Sequence, residues 1–382
     1  MFNQTDHHWM ARALELAARG LYTTTPNPRV GCVIVRAGEV VGEGWHARAG
    51  EAHAEVVALA QAGGRARGAD VYLSLEPCSH FGRTPPCVDA LIEAQVARVI
   101  VAMEDPNPQV DGRGLERLRE SGIEVRCGLL RDEAHELNVG FCTRMTRGRP
   151  WVRVKVAASL DGTTALANGV SQWITGPEAR ADGHAWRARA CAILTGIGTV
   201  RADDPRLDVR LVATERQPRR VLVDSLLAVD VDSRLVRAGN LLIATAARGL
   251  VEKERELRDH GCEIVHLPDR NGRVDLPALM RELSSRAFNE IHVEGGFRLN
   301  GALLAAACVD ELLVYLAPTL LGPGNGMFAL PPLERLDDGA RLRITSVASV
   351  GADVRIVARF GGDGGDGGPA AAASPRGPVS AS

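Results

Sequence analysis

Strand-like and helix-like periods alternate along this chain in two separate series, and no other feature limits its fold as strongly. In the first series a helix near Asp6 to Gly20 precedes a strand in VGCVIVRAGEVVGEGW, a helix from His53 and a strand in ADVYLSL. A helix across Val88 to Ala94 and a strand in ARVIVAME continue it, and DPNPQVDGRGLERLRESGIEVRCG adds a turn-rich loop, a helix and a strand. RDEAHELNVGFCTRMTRGRPW then winds down into a basic joint containing glycine and proline, which places a boundary near Arg147 to Pro150. From Trp151 the strands WVRVKVAAS, ACAILTG, RRVLVDS, LLIATA, CEIVHL, EIHVEG and ELLVYLAP form the second series, with helical stretches between most of them.

The expected organisation is therefore α/β throughout: an α/β/α sandwich over residues 1–146 and a second α/β domain with its own sheet over 150–360. A chain of 382 residues is long enough for both. Residues 361–382 (GGDGGDGGPAAAASPRGPVSAS) lack apolar periodicity and are expected to be a disordered tail. No internal repeat is apparent.

Composition narrows the partners. With 45% hydrophobic and 24% charged residues and a net charge of −2, the chain carries no polyelectrolyte signature for nucleic acid or an anionic membrane. A small-molecule partner is expected, and a homo-oligomer is compatible with everything the sequence says. No apolar run reaches the ~18 residues that span a bilayer, and the polar start MFNQTDHHWMARALELAARG leads into an amphipathic helix rather than a signal peptide, so a cytoplasmic protein is expected. The eight cysteines are too widely spread for a secreted disulfide framework, which favours thiols and metal. Two lysines, Lys155 and Lys253, stand against 43 arginines, so a lysine that persists in this background is informative.

GEAHAEVVALA puts His53 and Glu55 at the start of a helix, and SLEPCSHFGRTPPC puts Cys78 at a strand end and Cys87 at the start of another helix. One imidazole and two thiolates suit Zn²⁺, and three protein ligands leave the fourth tetrahedral position to water, the pattern of a catalytic site. The metal brings that water's pKa toward neutrality. Glu55, two residues from a ligand, is the candidate catalytic residue, able to carry protons between water, a ring nitrogen and departing ammonia. Helix N-termini after His53 and Cys87 help keep the thiolates ionised. The common zinc-deaminase signature pairs H-x-E with P-C-x-x-C, whereas here eight residues separate the cysteines. A structural zinc site with His80 as fourth ligand is the competing reading, and it leaves Glu55 without a purpose.

The strings TPNPRVGCVIV, GEAHAE, LEPCSHFGRTPPC and MEDPNPQVDGRG, then KVAASLDG, SQWITG, GTVRADDPRL and VEGG, resemble the bifunctional riboflavin-biosynthesis deaminase/reductases, in that family's order, over roughly residues 5 to 360. The resemblance implies a cytidine-deaminase-like first domain and a second domain similar to dihydrofolate reductase. By it, the first domain removes ammonia from a diamino-hydroxy-phosphoribosylaminopyrimidine, and the second uses NADPH to reduce the ribosyl chain to ribityl. Asn27 would then belong to the substrate pocket near the zinc.

On its own the second half shows no dinucleotide fingerprint, since Gly196-Ile197-Gly198 continues Thr-Val-Arg. The resemblance implies cofactor contacts for Ala157, Trp173, Thr199, Asp203, Ser225 and the run Gly296, Phe297, Arg298, Leu299, Asn300, Gly301 and Ala302. It implies phosphoribosyl-substrate contacts for Ser171, Arg187, Leu207, Arg210 and Glu294. Arg187 and Arg210 suit a phosphate, which a planar guanidinium holds through two hydrogen bonds. Lys155, on the first strand of the domain, is a candidate proton donor to a sugar oxygen. Two other classes compete: a nucleoside or tRNA-type zinc deaminase with a non-catalytic second domain, and a zinc-stabilised nucleotide-binding protein without turnover. Neither consumes NADPH.

Overall fold

The computed structural model describes residues 2–79 and 86–360. The tail expected to be disordered, and His80 with the rest of 80–85, lie outside the described residues. The chain divides into two compact units, one the described part of Met1–Pro150 with Thr214–Arg216 and Ala287–Asn289, the other built from the remainder, Trp151 onward.

The first unit runs α1 (Gln4–Ala18), β1 (Gly31–Arg36), β2 (Glu39–Trp45), α2 (Ala54–Ala62), β3 (Asp70–Leu73), α3 (Cys87–Glu93), β4 (Arg98–Val101), α4 (Arg113–Glu120), β5 (Glu124–Cys127), α5 (Arg131–Leu137) and α6 (Val139–Arg147). α1 starts earlier than the sequence pattern suggests because of its cap: the Asn3 side chain accepts the Asp6 amide (2.8 Å) and the Asp6 carboxylate accepts the Asn3 amide (3.1 Å), so Asp6 lies inside the first turn. The sheet order is β2-β1-β3-β4-β5, with β2 and β3 antiparallel to β1 and the last three strands parallel.

Strict alternation makes two cores. Cys32, Ile34, Val71, Leu73, Val99 and Val101 face Ala54, Ala58, Val88, Leu91, Leu115 and Leu118 of α2, α3 and α4. Val33, Val35, Tyr72 and Ile100 face Met10, Ala13 and Leu16 of α1, with Ala134 of α5 and Phe141 of α6. This is the α/β/α sandwich expected.

The second unit runs β6 (Trp151–Ser159), β7 (Ala165–Leu166), α7 (Pro177–Arg189), β8 (Ala192–Gly196), α8 (Ile197–Asp203), β9 (Arg219–Val223), α9 (Arg234–Arg237), β10 (Leu241–Thr245), α10 (Val251–Asp259), β11 (Glu263–His266), α11 (Leu276–Ser285), β12 (Glu290–Val293), α12 (Phe297–Ala305), β13 (Glu311–Ala317), β14 (Gly324–Asn325), β15 (Leu342–Val350) and β16 (Asp353–Phe360). Nine strands form one sheet in the order β11-β10-β9-β8-β12-β6-β13-β16-β15, parallel from β11 to β13 and antiparallel at β16 and β15. The β15–β16 hairpin has no counterpart among the strands read from sequence. β15 (LRITSVASV) is exposed along most of its length, so no buried face marks it as a strand.

The parallel strands all deliver their C-terminal ends to one edge, where open α/β sheets bind ligands. Ser159, Gly196, Val223 and Val293 end β6, β8, β9 and β12 there, and α8 starts at once after β8. Among the described residues, no helix is long and apolar enough to cross a membrane.

Candidate metal centre and candidate reductase site

Two helix starts and one strand exit assemble the metal centre. A Cβ at Gly42 would lie 2.2 Å from the Ala58 carbonyl oxygen, and one at Gly44 2.3 Å from that of Ala54, so glycine is what lets β2 and α2 touch. His53 is the extended residue before α2, and its side chain makes no capping bond, which leaves the ring to the sulfurs. Cys78 follows β3, and Cys87 opens α3.

The ligand atoms of His53, Cys78 and Cys87 all lie within 4.8 Å of one another. His53 Nδ1 is 3.2 Å from Cys87 Sγ and 3.6 Å from Cys78 Sγ. Zinc bonds of about 2.0–2.1 Å to nitrogen and about 2.3 Å to sulfur put tetrahedral ligand atoms about 3.5–3.8 Å apart, so donor set and spacing both fit this ion. A hydrogen bond from Cys87 holds Cys78 well below the ordinary thiol range against burial, with His53 and the Cys87 amide (3.3 Å to Cys78 Sγ) assisting. The same bond, together with burial, pushes Cys87 up. A bound dication would release the remaining thiol proton and leave both sulfurs as thiolate ligands.

Glu55, in the first turn of α2, is 3% exposed, and burial pushes its carboxyl up, the Cys78 charge adding to the rise. Asn27 reaches the centre through a residue that the sequence reading missed. Its Nδ2 donates to His46 Nε2 (3.0 Å), His46 Nδ1 donates to the Ala52 carbonyl (3.1 Å), and the His46 ring stands edge-on to His53 with centroids 5.3 Å apart. Burial holds His46 below the usual imidazole range, consistent with that neutral arrangement. Asp105 was missed as well: it is buried, and desolvation pushes its carboxyl up to about 7, with the charges of Glu76 and Cys78 contributing.

In the second unit the expected residues gather at the C-terminal edge of the sheet. Ala157 lies near the end of β6, Thr199 and Asp203 on α8 after β8, Ser225 just after β9, and Gly296 to Ala302 at the start of α12 after β12. A Cβ on Gly296 would come within 3.8 Å of Thr199 Oγ1, so the α8 and α12 starts adjoin. Within the α12 run, Leu299 packs over Gly196 and Gly295, Asn300 donates to the Met327 carbonyl (3.1 Å) and Gly301 backs onto Ala329. Those three hold the loop, while Gly296 to Arg298 present the helix start.

Arg187 on α7 and Glu294 after β12 form a two-bond pair, Nη2 to Oε2 at 2.7 Å and Nε to Oε1, and Arg187 Nη1 also donates to the Asp208 carbonyl (2.9 Å). Arg210 donates to the Asp208 carboxylate (2.6 Å), and its amide donates to His184 Nδ1 (3.2 Å). Burial and the flanking arginine charges push His184 down to about 4, so it is neutral; it too escaped the sequence reading. Leu207 is buried in the core beside Leu222 and Leu227. Lys155 stands 5.8 Å from the Tyr315 ring centroid, and Tyr315 donates to Asp182 (2.5 Å). Burial lowers the Lys155 ammonium's pKa, the charge of Glu294 opposing it. Trp173 is 67% exposed, with the Arg180 guanidinium 4.8 Å over its ring, and Ser171 precedes it in the same loop before α7.

Residues 3–103 match the cytidine and deoxycytidylate deaminase zinc-binding region, and residues 150–356 match the RibD C-terminal domain. The riboflavin biosynthesis protein RibD of Escherichia coli K12 is 50% identical over 363 residues, covering 91% of this chain and 98% of its own length. RibD of Haemophilus influenzae is 47% identical over 371 residues, covering 93% and 97%. Among solved structures, a form of Acinetobacter baumannii RibD superposes with a TM-score of 0.86 at 41% identity over 94% of this chain and 99% of its own. The diaminohydroxyphosphoribosylaminopyrimidine deaminase/5-amino-6-(5-phosphoribosylamino)uracil reductase of Thermotoga maritima gives 0.84 at 32% identity over 93% and 99%. On likeness that runs through both halves and nearly the full length of these relatives, the chain belongs to the RibD family of riboflavin biosynthesis proteins, with a zinc-binding deaminase half and a reductase half.

Proposed function

We propose that the chain hydrolyses an amino group from 2,5-diamino-6-(5-phosphoribosylamino)pyrimidin-4-one and then uses NADPH to reduce the ribosyl side chain, giving 5-amino-6-(5-phosphoribitylamino)uracil. The observation that carries this is a buried Glu55 beside a His53–Cys78–Cys87 cluster, on a chain 50% identical to a RibD across both halves. The deaminase is assigned to residues 1–146 and the reductase to 150–360, working in the cytoplasm.

Zinc held by His53, Cys78 and Cys87 supplies the Lewis acidity that makes hydrolysis feasible at neutral pH. Glu55, its carboxyl held up by burial, takes protons from the attacking water at a carboxyl oxygen and passes one to the ring nitrogen and the other to the amino group, which leaves as ammonia. Asn27, aimed by His46, lines the pyrimidine pocket.

NADPH supplies the hydride in the second half. Ala157, Trp173, Thr199, Asp203, Ser225 and Gly296 to Ala302 are assigned to the cofactor, and Ser171, Arg187, Leu207, Arg210 and Glu294 to the phosphoribosyl substrate. Arg187 is held by Glu294 through two nitrogens and is 14% exposed at its side chain, whereas Arg210 meets Asp208 through one nitrogen and is 46% exposed, so Arg210 keeps donors free to reach a phosphate. Lys155 donates a proton to the sugar oxygen as the ring opens.

A nucleoside or tRNA-type deaminase with a silent second domain is disfavoured by the match of residues 150–356 to the RibD C-terminal domain. A coupled assay on the purified protein, following ammonia and NADPH absorbance together, tests the reading. Ammonia followed by NADPH loss, both abolished by a zinc chelator, is the expected result. Ammonia without NADPH loss refutes the second half of the proposal, and neither signal from zinc-loaded protein refutes the whole.

A further inference from the structure

We propose that Glu76 is a positioning residue for the deamination, the joint that holds the Cys78 arm of the metal centre in register with the Asp105 to Leu115 segment. The inference rests on the deaminase reading above. Glu76 stands two residues before Cys78 and is 3% exposed. Both its carboxyl oxygens are taken up by backbone amides of one distant segment. Oε2 accepts from Asp105 (3.0 Å) and Gly112 (3.0 Å), and Oε1 accepts from Gly114 (2.8 Å) and Leu115 (3.4 Å).

α4 has no capping side chain of its own: Gly112 precedes it at φ +81° and makes no side-chain bond. Its leading amides carry the positive end of the helix and need an acceptor, and the acceptor comes from the metal-ligand arm. The fit is close. A Cβ on Gly114 would lie 2.4 Å from the Pro77 carbonyl oxygen and 3.0 Å from Glu76 Oε1, so the first turn of α4 rests on the residue next to Cys78.

The Glu76 amide in turn donates to the Met103 carbonyl (3.0 Å), tying the exit of β3 to the exit of β4. Asp105, whose amide Glu76 holds, turns its carboxylate onto the Asn107 amide (2.8 Å). One carboxylate therefore sets the direction of a ligand arm, the turn that carries Asp105 and the start of α4. Glu76 touches no reacting atom; it acts through the Cys78 arm, two residues along the chain. Partners of this kind around metal ligands typically change metal affinity or activity by about 10–100-fold when removed.

The test uses the full-length chain carrying Glu76→Gln, loaded with Zn²⁺ for kinetics and with Co²⁺ for visible absorption. Glutamine keeps the shape but turns an NH₂ group toward two amide donors. Expected are one metal per chain, a shifted visible Co²⁺ spectrum, ammonia-release kcat lower by about 10–100-fold, and reductase rate on the deaminated substrate within about twofold of wild type. Gly114→Ala strains the joint from the other side and is expected to reproduce the spectral shift and the loss of kcat; it also decides the matter if Glu76→Gln fails to fold. A wild-type spectrum and wild-type ammonia release in the folded variants overturn the inference. A wild-type protein that binds no metal or releases no ammonia refutes instead the deaminase reading on which it rests.

Discussion

Replacing Arg187 with methionine is expected to reverse how the stability of the second unit responds to pH. In the native chain burial alone would raise the Glu294 carboxyl, but the Arg187 charge and hydrogen bonds, with His292 3.3 Å away, hold it well below the usual range. A depressed native pKa contributes stability above the unfolded value of about 4.3 and loses it only as pH falls through the native value, so the wild-type pair is intact from pH 5 to 8. With Arg187 gone, burial of the carboxylate loses its main counterweight and the native pKa rises above the unfolded one, so stability falls as pH rises past about 4.3. Breaking one partner of a buried pair costs about 3–5 kcal/mol, and Lys155, close enough to sense Glu294, offsets part of it. At about 2–4 °C per kcal/mol for a unit of about 200 residues, the loss is roughly 10 °C at pH 7.5, shrinking to a few degrees at pH 4.5. Differential scanning calorimetry of the full-length wild type and variant at the two pH values measures it. The double variant Arg187→Met/Glu294→Gln is expected to recover most of the loss at pH 7.5. An equal deficit at both pH values, or a double variant as unstable as the single one, refutes the reasoning.

Glu55→Gln is expected to keep one zinc per chain by atomic absorption while ammonia release drops by about 10²–10⁴-fold; a fall in zinc content to match the fall in rate would mean that Glu55 is a ligand or a support rather than a proton carrier. Lys155→Met is expected to slow single-turnover NADPH oxidation by about 10²-fold with NADPH affinity unchanged, and Lys155→Arg is expected not to rescue it, because a guanidinium does not release its proton near neutral pH. Arg153, 1% exposed, joins Glu290 (3.3 Å) and Glu311, each also 1% exposed. Arg153→Met is expected to cost about 3 kcal/mol in urea unfolding, the low end for a broken buried pair, because Arg189 still meets Glu290 and Arg359 still meets Glu311. A loss under 1 kcal/mol counts against a charged network there.

Legibility followed from what each part of the molecule requires of its residues. The first-unit layers were readable because β1, β3 and β4 obey a period of two: Cys32 and Ile34 face one core while Val33 and Val35 face the other. The metal cluster was readable because zinc accepts few side-chain types, and these recur at helix starts and strand ends. β15 was not, since a strand paired on one side and exposed along its faces needs no apolar alternation. The start of α1 was misplaced because a capping box puts its acidic residue three positions inside the helix, where composition alone makes it look like the beginning.

The reductase site was nameable only through family resemblance, and its physics explains why. Its expected cofactor residues are spread over the ends of β6, β8, β9 and β12, and several of them, among them Ala157, Gly296 and Ala302, have only backbone polar groups to offer a ligand. A backbone amide leaves no mark on residue identity. The same rule covers Glu76, His46 and His184, which sequence patterns near the sites do not mark. Glu76 accepts amides 29 to 39 positions away, His46 aims Asn27 across 19, and His184 accepts the Arg210 amide across 26. In a chain with 47 acidic residues and ten histidines, nothing local separates these from solvated side chains. What distinguishes them is that each is buried with its polar atoms aimed at a partner that carries or adjoins a functional group, a condition that only the folded arrangement can meet.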